Sequence, residues 1–219
     1  MNLQRVRTYQ RRMARTSGIL KDNPVFALGI GLPFVIAPSV SLKNGVAISI
    51  LFLAATLPCV VIAAFVGKKP PVLARMPLYA LISIVFVTLA AVPLGRWPSI
   101  RADLGIYIPL TAVNTLMLEM AARHPAKSPL SALRASLVNW AGFAVVACSV
   151  SAVRELLGNR TLWEAPAALL PIRFTGVSLP FFGFILLGFF AALFRNIDRA
   201  FKGSLIRERE MKIEEERGA

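Results

Sequence analysis

Six long stretches of this chain contain no Asp, Glu, Lys or Arg: residues 23–42, 44–67, 76–95, 104–118, 135–153 and 174–194. A helix needs about 20 apolar residues to cross about 30 Å of hydrocarbon. Four of the six reach that length and 135–153 nearly does. Residues 104–118 are short, and cross only if Asp103 or Glu119 lies at an interface or the segment is irregular and enclosed by protein. The chain is also 56% hydrophobic and only 16% charged, too apolar for an ordinary soluble domain. The expected fold is an all-α integral membrane protein with six transmembrane segments.

The net charge of +14 would suit nucleic acid, but its distribution follows topology instead. With the N-terminus in the cytoplasm, 19 Lys and Arg residues fall on the inner side and six on the outer, namely Lys43, Arg96, Arg101, Arg154, Arg160 and Arg173. Such a bias sets orientation and places both termini inside. Membrane lipid, not nucleic acid, is the expected partner of the remaining basic excess. Residues 1–22 are basic and polar and lack the apolar core of a secretory signal. They read either as an amphipathic helix on the cytoplasmic leaflet or as a disordered tail. Residues 201–219 carry Glu with Lys or Arg at i,i+4 spacing, the pattern of a solvated cytoplasmic helix.

Two of the six stretches are broken. The first opens on Asp22, Asn23 and Pro24, residues suited to a cap and a first turn. Gly29, Gly31, Pro33 and Pro38 then interrupt it, and each proline removes a backbone donor and clashes with the preceding turn. The fourth carries Gly105 and Pro109 and ends around Asn114, Thr115 and Glu119. LGIGLPFVIAPS (28–39) and LGIYIPLTAVNT (104–115) align without a gap at an offset of 76 and share Leu, Gly, Ile and Pro. Three crossings separate them, so they run in opposite directions. The expected organisation is two inverted three-helix repeats, 23–100 and 101–200, with segments 1 and 4 broken. Half-helix ends and free backbone groups then converge at a midplane site. The candidate residues are Gly29, Gly31, Pro33, Gly105, Pro109, Asn114 and Thr115.

Walker loops, dinucleotide fingerprints, nucleophile elbows and CxxC pairs are absent from the sequence, so no catalytic residue is assigned. His124 lies in a predicted cytoplasmic loop and reads as a surface residue. Cys59 and Cys148 lie inside apolar runs, form neither a disulfide framework nor a metal motif, and read as buried structural thiols. Glu119 is an intramembrane functional acid or, if its helix ends near Leu118, an interfacial one. Asn114 and Thr115 are placed to hydrogen-bond backbone freed by Pro109. Arg154-Glu155 closes segment 5, where arginine caps a helix C-terminus favourably. Segment 5, rich in small residues, suits close packing, whereas Gly183 and Gly188 in segment 6 are a small-residue pair at five-residue spacing, not the GxxxG spacing. Residues 155–173 form an outer loop whose AALL stretch could dip into the interface.

DNPVFALGIG at the first break, RMPLY (75–79), LGIYIPLTAVN (104–114) and above all RELLGNRTLW (154–163) resemble one known family. It is the paired six-helix membrane subunits of the Rnf and Nqr electron-transport complexes, closest to the Rnf E / Nqr D branch, and the match covers roughly residues 20–195. The resemblance implies a pseudo-symmetric pair with an inverted paralogous subunit (Rnf A / Nqr E-like). In that pair each chain gives one cysteine from each broken helix to a membrane [2Fe–2S] cluster. It further implies electron relay coupled to Na⁺ or H⁺ movement, partner subunits carrying flavin and further Fe–S centres, and residence in a bacterial or archaeal cytoplasmic (inner) membrane. This chain departs at the cysteines: the family positions are Gly31 and Thr115, and neither offers the thiolate that a cluster iron takes. LEMAA (118–122) also replaces the family's Gly-Arg-Ala-Glu stretch.

The leading expectation is a membrane subunit of an Rnf/Nqr-like ion-translocating redox complex without its own Fe–S ligands. A transporter that binds an ion or small solute at the broken-helix ends, without redox chemistry, is the alternative, and a purely structural assembly subunit is a third.

Overall fold

The computed structural model describes residues 23, 25–26, 29, 31–66, 69–114, 128–167 and 173–218. Segment 1 contributes a short helix, α1 (Leu32–Ile36), followed by α2 (Leu42–Val66) and α3 (Val72–Ala91), which runs on as a 3-10 turn over Val92–Arg96. Segment 4 is again in pieces: α4 (Pro98–Leu104), α5 (Tyr107–Leu110) and a 3-10 turn over Thr111–Val113. Then come α6 (Pro129–Asn159), a hairpin of β1 (Thr161–Leu162) and β2 (Ala165–Pro166), a 3-10 turn over Thr175–Ser178, and α7 (Pro180–Gly218).

Among the described residues, four helices are long and apolar enough to cross a membrane, those of segments 2, 3, 5 and 6. Segments 1 and 4 are interrupted where glycine and proline lie. Residues 201–218 do not form a separate helix but continue α7. The outer loop also starts later than the charge pattern suggests. Helix α6 runs on to Asn159, and Trp163 and Glu164 then turn the hairpin with φ of 58° and 65°, the positive pair of a type I′ turn. Ala167 is the one residue of AALL that is described.

The core is an antiparallel seam between α2 and α6. A Cβ at Gly45 would fall 2.3 Å from Ser151 Oγ, Trp140 Nε1 donates to Ser49 O at 2.7 Å, and Phe52 stacks on Phe143 at 3.9 Å and 11°. From the Gly45–Ser151 approach to the Phe52–Phe143 stack, numbers rise along α2 as they fall along α6. Small residues permit this approach without hydrophobic drive between apolar helices. The hydroxyls of Ser49, Thr56 and Ser151 are satisfied within their own helices, donating to the carbonyls of Gly45, Phe52 and Ala147, as suits a waterless interior. Helices α3 and α7 flank the seam and turn Leu81, Phe86, Leu89, Phe184 and Phe189 outward, the aspect a multi-pass chain offers to lipid.

Candidate functional site

The first break is built by glycine. Gly29 and Gly31 have φ of +65° and +81°, a region that side chains disfavour. Gly31 caps α1, its carbonyl accepting from Phe34 N at 3.1 Å and Val35 N at 3.2 Å, with Pro33 in the first turn. The second break repeats the device: Gly105, with φ of +43°, ends α4, and its carbonyl accepts from Ile108 N at 3.3 Å. Gly29 and Gly105, the paired glycines of the two phrases, thus share a positive φ.

Aromatic rings occupy the space where the breaks approach. Phe34 on α1 meets Phe52 at 5.2 Å and Tyr107 of the second break at 6.3 Å, both edge-on, while Phe52 continues to Phe143. Gly31 faces this stack, and a Cβ on it would sit 3.0 Å from Phe143 Cε2. The residues present therefore do not fit a thiolate-held cluster at the first break. Position 31 lacks a donor, its backbone disfavours any side chain, and a ring fills the adjoining space.

The native thiols offer no substitute. Cys59 donates to Tyr79 O at 3.2 Å on the α3 side, and Cys148 lies beside Ser49. Ser49 and Cys59 are ten residues apart on α2, so the two sulfurs differ by about 15 Å in height at the helical rise. Among the described residues no group of three His, Cys, Asp or Glu is arranged to hold a metal ion.

Asn114 is buried and donates through Nδ2 to Thr111 O, and the Thr111 hydroxyl donates to Ile108 O at 2.7 Å. The second break thus carries polar side chains bonded to its own backbone, Asn114 to Thr111 O rather than to the Gly105 carbonyl that Pro109 frees. Sequence reasoning does not single out Thr111, although a hydroxyl three residues after Ile108 is placed for that bond. Pro109 is exposed. Thr115, Glu119 and His124 lie outside the described residues.

Arg154 and Glu155 depart most from expectation. Each is 1% exposed, and Arg154 does not cap its own helix, which ends more than a turn later. Its guanidinium reaches other chain segments. Nη1 donates to Ile36 O and to Ser39 O at 3.4 Å, Nε to Val177 O at 3.0 Å, and Nη2 to Ser178 O at 2.7 Å and Leu179 O at 3.4 Å. Glu155 accepts from Leu42 N at 2.7 Å through Oε2, and from Thr161 Oγ1 at 3.0 Å and Glu164 N at 2.9 Å through Oε1. Its carboxylate thus meets the N-terminus of α2, where negative charge is favourable, and holds the hairpin, which Lys43 braces through Glu164. Both residues belong to RELLGNRTLW, the stretch that most specifically carries the family resemblance. The available signal was two charges side by side within a helix that has turns still to run.

Comparison with known proteins agrees with that resemblance. The pattern of the family described as "Rnf-Nqr subunit, membrane protein" matches residues 12–191. A Methanosarcina acetivorans protein, named as the E component of an ion-translocating oxidoreductase complex, is 28% identical over 74% of this chain and 76% of its own. An Acetobacterium woodii protein, named as the E component of a Na(+)-translocating ferredoxin:NAD(+) oxidoreductase complex, is 27% identical over 68% and 76%. A Pasteurella multocida protein, again the E component of an ion-translocating oxidoreductase complex, is 28% identical over 70% and 69%. With most of its length matched by the family pattern, and with the apolar helices that a membrane subunit requires, this chain belongs to the Rnf-Nqr membrane subunit family.

Proposed function

We propose that this chain is an integral membrane subunit of an Rnf-type ion-translocating oxidoreductase complex and contributes fold rather than Fe–S ligands. The observation that carries the reading is the match to E components of such complexes over about two thirds or more of both chains. The six segments form two inverted three-helix halves with both termini in the cytoplasm, in a bacterial or archaeal inner membrane. Positive φ at both Gly29 and Gly105, the antiparallel α2–α6 seam and the inner excess of Lys and Arg support that topology. The partners are an inverted paralogous subunit and subunits carrying flavin and Fe–S centres. The approach of Phe34, beside Gly31 and Pro33 on the first break, to Tyr107, between Gly105 and Pro109 on the second, serves as a packed joint between the halves. Transport of a solute through this point gains no support, because the packed rings of Phe34, Phe52, Phe143 and Tyr107 fill it.

The test is purification of the tagged chain from its native host. It is expected to bring down flavin- and iron-bearing subunits, and its deletion to abolish ion-coupled electron transfer in membranes. A chain that purifies alone and can be deleted without that loss overturns the proposal. A reduced-state [2Fe–2S] EPR signal lost on Cys59→Ser or Cys148→Ser would overturn the absence of ligands.

A further inference from the structure

Helix α1 is too short to hold itself. Five residues make little more than one turn, and such a helix is stable only through outside contacts. Its last carbonyls have no partner within the helix, and a membrane interior supplies no water. Just before α7, Leu179 O already accepts from Phe182 N at 3.2 Å, and the guanidinium of Arg154 supplies donors to the carbonyls of Val177 and Ser178. We propose that Arg154 is the positioning residue of the first break, clamping the Ile36 end of α1 to the start of α7 so that the break at Gly31 has one fixed arm. This inference stands apart from the redox reading, since it concerns where the broken helix is held rather than what the complex transfers.

The chemistry selects arginine. A guanidinium spreads its N–H donors around a rigid plane, so it serves two carbonyl rows at once, whereas an ammonium is a compact point. Among the described residues Arg154 forms no ion pair, and every hydrogen bond it makes goes to a backbone carbonyl. The dipole at the end of α1 therefore faces the buried charge. A second observation points to the same junction. A Cβ on Gly183 would lie 3.2 Å from Ile36 Cγ2 and 3.3 Å from Ile36 Cα and O, so the first turn of α7 already rests on the backbone of α1 where Arg154 ties them. At the opposite end of the break, among the described residues between Phe26, which packs on Phe194 at 5.3 Å, and Leu32, Gly29 and Gly31 turn the chain with positive φ. One arm is clamped and the joint beside it is made of glycine.

Adjacent residues with separate territories make this testable. Arg154 holds 36–39 and 177–179, and Glu155 holds Leu42 and the 161–164 turn. Amide hydrogen exchange is read by mass spectrometry on the full chain in its purified complex. Arg154→Lys is expected to speed exchange in peptides covering 34–39 and 177–182 by roughly tenfold or more, leaving 161–167 and the middle of α2 near wild-type rates. Glu155→Gln is expected to do the reverse, loosening 161–167 and sparing 34–37. Wild-type exchange at 34–39 in Arg154→Lys overturns the proposal, and so does a uniform rise in all segments in both variants, which is what a merely global role predicts. If Arg154→Lys yields no folded protein, Gly183→Ala reads the same junction. It is expected to loosen 34–39 and 177–182 together, and rates unchanged at both would overturn the clamp.

Discussion

The two broken segments share a phrase in sequence and a positive-φ glycine in structure, yet the protein treats them differently. The first is interior: Phe34, Val35 and Ile36 are buried, and beside the nearby Ser39 hydroxyl and Phe52 ring its end is held by Arg154, 118 positions away. The second is peripheral. Ile106, Pro109 and Leu110 are exposed, and past Gly105 it carries local hydrogen bonds, Thr111 to Ile108 and Asn114 to Thr111, while Asn44 donates to Asp103 at 2.9 Å just before the break. The same letters thus encode the same kink but not the same dependence. A kink is a property of a few neighbouring dihedrals, whereas what stabilises it is decided by the rest of the fold.

Substitutions can break this contrast, and equilibrium unfolding in mixed micelles can measure it. The largest effect is expected at Phe34→Ala, which empties a site touching both Phe52 and Tyr107 and should cost about 3–5 kcal/mol. Gly31→Ala comes next at about 2–3 kcal/mol, combining a disfavoured backbone with contact against Phe143. Adding Phe143→Leu should recover part of it, with a coupling of about 0.5 kcal/mol or more in a double-mutant cycle. In the second segment, Thr111→Val removes one local hydrogen bond and should cost about 1 kcal/mol. Leu110→Ala, at an exposed position, should change stability by less than about 0.5 kcal/mol. Equal costs at Phe34 and Leu110 would erase the distinction between an interior and a peripheral break.

What sequence could foretell follows the same division. The long helices were legible because absence of charge over about 20 residues has one physical meaning in a membrane chain. The breaks were legible because glycine and proline act locally, at Gly29, Gly31, Pro33, Gly105 and Pro109. Asn114 was legible as a capping residue for the same reason. Arg154 reads in sequence as a cap for its own helix because nothing near it in the chain shows the carbonyls of Ile36 or Ser178. The aromatic filling of the site was equally hidden. Phe52 and Phe143 are ordinary apolar letters until the antiparallel register of α2 and α6 stacks them beside Gly31. That position 31 is a glycine with no donor to offer a metal was visible in sequence, but only the structure adds that it is flanked by a ring.

The clamp on α1 also imposes an order on biosynthesis. Ile36 and Arg154 are separated by 118 positions. At a ribosomal rate of about 5–20 residues per second, the donor emerges about 6–24 seconds after its acceptor. For about the later half of that interval α2 and α3 are both made and can pair as a helical hairpin, while the Ile36 end of α1 still lacks its donor. The nascent first segment must then wait at the interface or be sheltered by the insertion machinery, and its final seating is one of the last events in the maturation of the chain.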